Sequence, residues 1–274
     1  MFGFFLKKNF CTIWDNMLHT ILINIPMLLL SLLGYYFCSR MAGLQGGGGL
    51  GNLGLMVSVT ICCIVWSIIF LAEGENAAMV SKYDTPKYTL FLKQIPHCIK
   101  DGILLGLCHA ILILAVLISM PYYFKIWMPM DGSEGSLFGL LMMSCVFWVV
   151  LISSLAIQWI LPIRSLMHNN FRKCLKKSFI IFFDNPIFSV GVALVNLFNL
   201  VFSVVSMGII DGPATIAITS TNALKLRLYK YDWLEVNPGL TKAQRKQVPW
   251  EDLLFKERTL LGNRTLRSLI FPWR

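Results

Sequence analysis

The sequence predicts an all-α membrane protein: six transmembrane helices arranged as three hairpins with a pseudo-repeat, plus cytoplasmic amphipathic helices. Three observations carry that expectation. The chain is 56% hydrophobic and 14% charged, with positive mean hydropathy, whereas soluble domains carry about 25% charged residues. Uncharged runs near the ~20 residues that a crossing needs recur at 17–38, 53–71, 102–122, 137–161 and 186–210. A sixth run, 212–224, is short and spans only if Lys225, Arg227 and Lys230 snorkel from a helix that continues to Tyr231. The third observation is the placement of charge. With six spans, 22 of the 24 Lys and Arg fall on one side, leaving Arg40 and Lys125 on the other. This positive-inside bias puts both termini in the cytoplasm of a multi-pass membrane protein. The net charge of +10 is therefore read as orientation and headgroup contact; no recognition module accompanies it, so no nucleic-acid partner is expected.

Taken in order, residues 1–16 predict a short interfacial helix with Lys7 and Lys8 facing headgroups. Asp15-Asn16 would cap the first span through side-chain oxygens, and Asp184-Asn185 would cap the fifth, with Pro186 at the first helical position. The first apolar run reads as an anchor rather than a cleaved signal. The loop at 39–52 is glycine-rich, and Gly49-Leu50-Gly51-Asn52-Leu53-Gly54 matches GxGxxG in form. A dinucleotide site needs a preceding strand, so a flexible turn is expected there. The loop at 73–101 is cytoplasmic and long enough for interfacial helices. Tyr122, Tyr123 and Trp127 form an aromatic belt in an outward loop. Residues 1–232 make the membrane domain, and 233–274 a cytoplasmic tail, amphipathic from 250 to 271.

Internal similarity supports the hairpin scheme. Leu6-Lys7-Lys8 followed by Asp15-Asn16 has the spacing of Leu175-Lys176-Lys177 followed by Asp184-Asn185. The corresponding units close on Lys82-Tyr83-Asp84 and Lys230-Tyr231-Asp232.

Catalytic spacings such as HExxH, GxSxG and the P-loop do not occur. The eight Cys show no metal or redox spacing, and no cofactor, metal or catalytic residue is expected. His109 is an ionisable residue within a span, expected as a neutral imidazole bonded to a neighbouring helix. Thr215, Thr219 and Asn222 share one face of the sixth helix. With Asn24, His109, Asn196 and Asn199 they form a candidate polar pocket, for which interhelical packing is the competing explanation. Lys176, Lys177, Leu260, Leu261 and Trp273 are the candidate partner contacts.

At Gly212-Pro213-Ala214-Thr215-x-Ala217, preceded by an Asn-containing uncharged helix and followed by a basic exit, the sequence resembles the YesL family of small multi-helix bacterial membrane proteins. Phe10, Trp14, Asp15 and Asn16 resemble that family's N-terminal approach, and 85–101 with Phe91 its cytoplasmic loop. Here the Gly-Pro-Ala turn lies in the last hairpin rather than the first. The resemblance implies a non-catalytic accessory or regulatory subunit assembling with a carbohydrate ABC transporter, and brings no catalytic residues. The alternative is a transporter or permease subunit that itself conducts a small solute. An intramembrane enzyme is the third and weakest reading.

Overall fold

The computed structural model describes residues 1–43, 49–129, 134–208, 210–239, 241, 243–262 and 264. Among these, the regular structure is helical and no strand occurs. That fits a chain in lipid, where backbone N–H and C=O groups must be paired within each segment. The α-helices are α1 (Phe2–Asp15), α2 (Met17–Gly43), α3 (Gly49–Ala72), α4 (Gly74–Ser81), α5 (Tyr88–Leu114), α6 (Met120–Trp127), α7 (Leu137–Ile157), α8 (Ile160–Met167), α9 (Phe171–Asp184), α10 (Pro186–Val205), α11 (Pro213–Val236), α12 (Trp250–Leu253) and α13 (Phe255–Leu261).

Five helical stretches are long and apolar enough to cross a membrane: Met17–Gly43, Leu53–Ser81, Tyr88–Trp127, Leu137–Met167 and Pro186–Val205. The third has 40 residues, roughly 60 Å at ~1.5 Å per residue, against a hydrocarbon core of ~30 Å. Small residues seat these helices on one another. A Cβ on Gly106 would lie 2.4 Å from the Ile64 Cα, and one on Gly102 2.7 Å from the Ile68 Cα. The backbones of α3 and α5 thus approach where no side chain separates them.

α11, the expected sixth span, is not among these five stretches, and it carries a long run of buried residues. Ala214, Thr215 and all residues from Ala217 to Leu224 are buried, with α1, α2, α4, α8 and α10 packed around it. Its Ala, Ser, Thr and Asn side chains are small, so five helices can close on it. The turn before it meets α2: Leu28 lies against Gly208, and Asn24 Oδ1 accepts from the Ala214 N–H at 3.0 Å. From Leu28, α2 continues to Gly43, roughly 22 Å further at ~1.5 Å per residue.

Several local expectations are corrected. Asp15 and Asn16 do not cap α2. Asn16 instead closes α1, its Nδ2 donating to the Thr12 carbonyl at 2.8 Å. Asn185 likewise makes no side-chain cap to α10; its Nδ2 donates to the Tyr231 hydroxyl at 2.6 Å. These asparagines join a helix to the one before it or beside it, so their amides are already taken. Lys8 does not face headgroups: it is 0% exposed. Gly49–Gly54 forms the first turns of α3 rather than a flexible turn, while residues 44–48 lie outside the described set. The aromatic belt is helical as far as Trp127, in α6. α11 runs past residue 232 to Val236. The tail forms two short helices separated at Leu254, and 265–271 lie outside the described residues.

Substituting Gly106 with alanine should force the α3 and α5 backbones apart. The expected cost is about 1–3 kcal/mol of overpacking strain, read as a lower thermal midpoint in detergent. Gly3→Ala, where a Cβ meets nothing within 4 Å, should leave the midpoint unchanged.

Candidate functional site

Two polar clusters lie along α11, one within its buried stretch and one where it leaves the bundle. The first brings together most of the predicted pocket. Thr219 Oγ accepts from Asn9 Nδ2 and from Asn199 Nδ2, each at 3.1 Å, and donates to the Thr215 carbonyl at 2.8 Å. A hydroxyl has one hydrogen and two lone pairs, so Thr219 is fully used. Asn222 Nδ2 donates to Thr12 Oγ at 2.9 Å and to Asn9 Oδ1 at 3.3 Å. Asn196 Nδ2 reaches Ser220 Oγ at 3.2 Å, a turn away on the same pair of helices. Asn24 stands apart at the N-terminal end of α11. Of the predicted pocket residues, Asn24 Nδ2, Asn196 Oδ1, Thr215 Oγ and Asn222 Oδ1 are buried without a partner among the described residues.

His109 belongs elsewhere. On α5, its Nδ1 lies 3.0 Å from Ser67 Oγ of α3, the interhelical bond the sequence suggests, and it borders a crevice of about 870 Å³ between α2 and α3. Asn9 and Thr12, which complete the α11 network, escape a sequence reading because α1 reads as a surface helix. The contact of His19 Nε2 with Oε1 of the fully buried Glu73, at 2.9 Å, likewise escapes a sequence reading. The two residues are 54 apart in sequence.

The second cluster surrounds Glu257 of α13, which is 2% exposed. Lys8 donates to its Oε2 at 2.6 Å and Tyr83 to the same oxygen at 2.8 Å. Lys225 approaches Oε1 at 2.8 Å, and Tyr229 donates to it at 2.7 Å. Both ammonium groups also donate to the Ser81 carbonyl, at 2.9 and 2.7 Å. Burial alone would raise the Glu257 carboxyl, but the charge of Lys8 and the hydrogen bonds from Lys225, Lys8 and Tyr229 hold it down at about 2. Burial, then the neighbouring Lys225, pulls the Lys8 ammonium down to about 8 against the attraction of Glu257. Burial and the adjacent carboxylate push the Tyr83 phenol up, so it stays a donor. Both Lys-Tyr-Asp motifs thus place a tyrosine hydroxyl on a carboxylate. Tyr231 donates to Asp184 at 2.7 Å, beside Lys230 at 2.9 Å. The internal similarity does not extend to the partner, since Asp15 pairs with Arg264 while Tyr83 turns to Glu257.

Between α1 and α10 runs a groove of about 1020 Å³, walled by Phe10, Trp14, Phe198 and Phe202 with Asn9 and Asn199 also lining it. The tail reaches it: Arg264 lines the groove, and Lys7 Nζ lies 3.5 Å from the Gly262 carbonyl oxygen.

The predicted partner contacts divide. Lys176 and Leu260 are exposed, and Lys177 is half-buried, with its Nζ 3.6 Å from Met167 Sδ. Leu261 is turned into the bundle at 3% exposure, which removes it from any outward surface. Trp273 lies outside the described residues. No protein-family model matches the chain, and searches of curated proteins and of solved structures return no match either.

Thr219→Val keeps the side-chain shape and removes the shared acceptor. It should lower stability by about 1–3 kcal/mol, because the Asn9 and Asn199 donors lose their partner. Thermal unfolding of the detergent-solubilised protein measures this, and Thr219→Ser should recover most of the loss.

Proposed function

We propose that the chain is a non-catalytic membrane component that assembles with, or regulates, another membrane protein. A carbohydrate ABC transporter is the partner class implied by the resemblance of its last hairpin. One observation carries the reading: the Thr219 hydroxyl is saturated by bonds within the protein. At Thr219 the polar centre is closed on itself, as expected of groups that hold helices together. The outward face of α10, beside the groove, is apolar and includes Leu194, Phe198, Val201 and Val204. Mild-detergent purification should recover partner membrane subunits with the full-length protein, and deleting 250–274 should lose them. Purified protein that moves a sugar into liposomes unaided would favour the conducting alternative instead.

The arrangement of crossings is part of the same proposal. Six crossings follow from the sequence, but the turn before α11 lies beside Leu28 and Asn24, near the middle of the first apolar run. That position supports α2, α3, α5 and α7 as full crossings and α10–α11 as a re-entrant hairpin, its backbone buried in protein as such segments require. Both arrangements leave the basic loops and both termini on one side, the cytoplasmic one by charge. On a background without native cysteines, a cysteine at Ser206 should resist impermeant maleimide applied from outside, while one at Arg40 or Lys125 reacts. Outside labelling at position 206 would establish six crossings.

A further inference from the structure

The surroundings of Glu257 have the chemistry of an oxyanion receptor, and its occupant comes from a short piece of tail. Three separate parts of the bundle supply the donors: Lys8 from α1, Tyr83 from the turn after α4, and Lys225 with Tyr229 from α11. Two ammonium groups face one carboxylate, so the cage has one positive charge more than its occupant balances. Tyr83 holds φ at 67°, in the left-handed region that a non-glycine residue seldom enters. There its ring lies 4.6 Å from Lys8 Nζ and 5.4 Å from Lys225 Nζ. This left-handed residue closes α4, with the Tyr83 N–H donating to the Val80 carbonyl and the Asp84 N–H to the Met79 carbonyl, and the same turn delivers the Tyr83 ring and hydroxyl to the cage.

The occupant belongs to a short helix: α13 has seven residues, with Glu257 and Leu261 buried and Phe255 and Leu260 exposed, and Leu254 just before it is buried as well. The buried Lys8 ammonium and the half-buried Lys225 ammonium beside it are costly to leave without an anion, so departure of the tail requires a replacement. A phosphate group carries up to two negative charges and several strong acceptor oxygens, matching the two cations and two phenols better than a carboxylate does.

We propose that the Lys8–Tyr83–Lys225–Tyr229 cage is a binding site for a phosphate group, free or on a lipid headgroup, and that Glu257 is its tethered occupant. Phosphate and the tail then compete, and release of the tail also frees Lys7 and the groove from Gly262 and Arg264. The site stands independently of the partner proposed above.

The test uses full-length protein in phosphatidylcholine nanodiscs and follows trypsin cleavage after Lys256 and Arg258, which flank Glu257. Inorganic phosphate should accelerate this cleavage, whereas chloride at matched ionic strength should not. Glu257→Gln should be cleaved at least about tenfold faster without phosphate, given the cost of breaking a buried pair, and should broaden the phosphorus resonance of added phosphate. Glu257→Asp keeps the charge on a shorter arm, so it remains informative if the glutamine variant does not fold; it should release the tail at lower phosphate. Acceleration by free phosphate identifies a soluble ligand. Acceleration only when phosphatidic acid is included in the nanodisc identifies a headgroup. Cleavage indifferent to both sources, equal acceleration by chloride, or an aspartate variant with an unchanged phosphate requirement would overturn the proposal and leave the cage as a tail anchor.

Discussion

The burial of α11 is the constraint on which the rest of the structure depends. A helix bearing Thr215, Thr219, Ser220, Thr221 and Asn222 carries polar side chains that lipid cannot solvate, and an unpaired polar group there costs several kcal/mol. The chain meets this by surrounding α11 with helices. Asn9 and Thr12 come from α1, Asn196 and Asn199 from α10, and Asn24 from α2. Each interhelical bond is worth about 0.6 kcal/mol, less than an orphaned donor costs, so the network specifies where helices sit more than it deepens stability. α1 is consequently an internal strut, and its Lys8 is carried inward with it.

At the end where α11 leaves the bundle, the same logic applies to charge. Asp184 and Glu257 each receive a lysine and a tyrosine from the chain around them, but in different settings. Asp184 lies on the surface, held below the usual carboxylate range once Lys230 and Tyr231 outweigh its partial burial. Glu257 is enclosed, and the two lysines that contact it are drawn from α1 and α11. A buried ion pair gains little net stability over apolar packing but is costly to break. That asymmetry makes the tail's attachment specific. It also ties the groove to the tail, because the segment that follows Glu257 carries the carbonyl oxygen near Lys7 and the guanidinium that pairs with Asp15.

Much of the architecture was legible in the residues. Runs without charge can only be helices in lipid, so α2, α3, α5, α7 and α10 follow from composition and length. The Thr215, Thr219 and Asn222 face follows from helical spacing, and the bond of His109 to a neighbouring helix from the cost of burying an imidazole alone. The α1 partners Asn9 and Thr12 were not legible, since FGFFLKKNF reads as an interfacial helix whichever side its polar face meets. Asp15-Asn16 and Asp184-Asn185 read as caps because Asn and Asp favour that role locally; their amides and carboxylates were instead taken by groups on other elements.

The sequence by itself determined the membrane class, the helical segments and the confinement of basic residues to the stretches between the long apolar runs, because these depend on hydrophobicity and charge summed over windows of the chain. Only the tertiary structure decided that Lys8 is buried, that Glu257 is its partner and that the turn before α11 stops beside Leu28. Those outcomes join residues 249 and 180 positions apart, such as Lys8 with Glu257 and Leu28 with Gly208. Which distant groups meet is set by how helices of similar apolarity pack, and apolarity alone does not distinguish one neighbour from another.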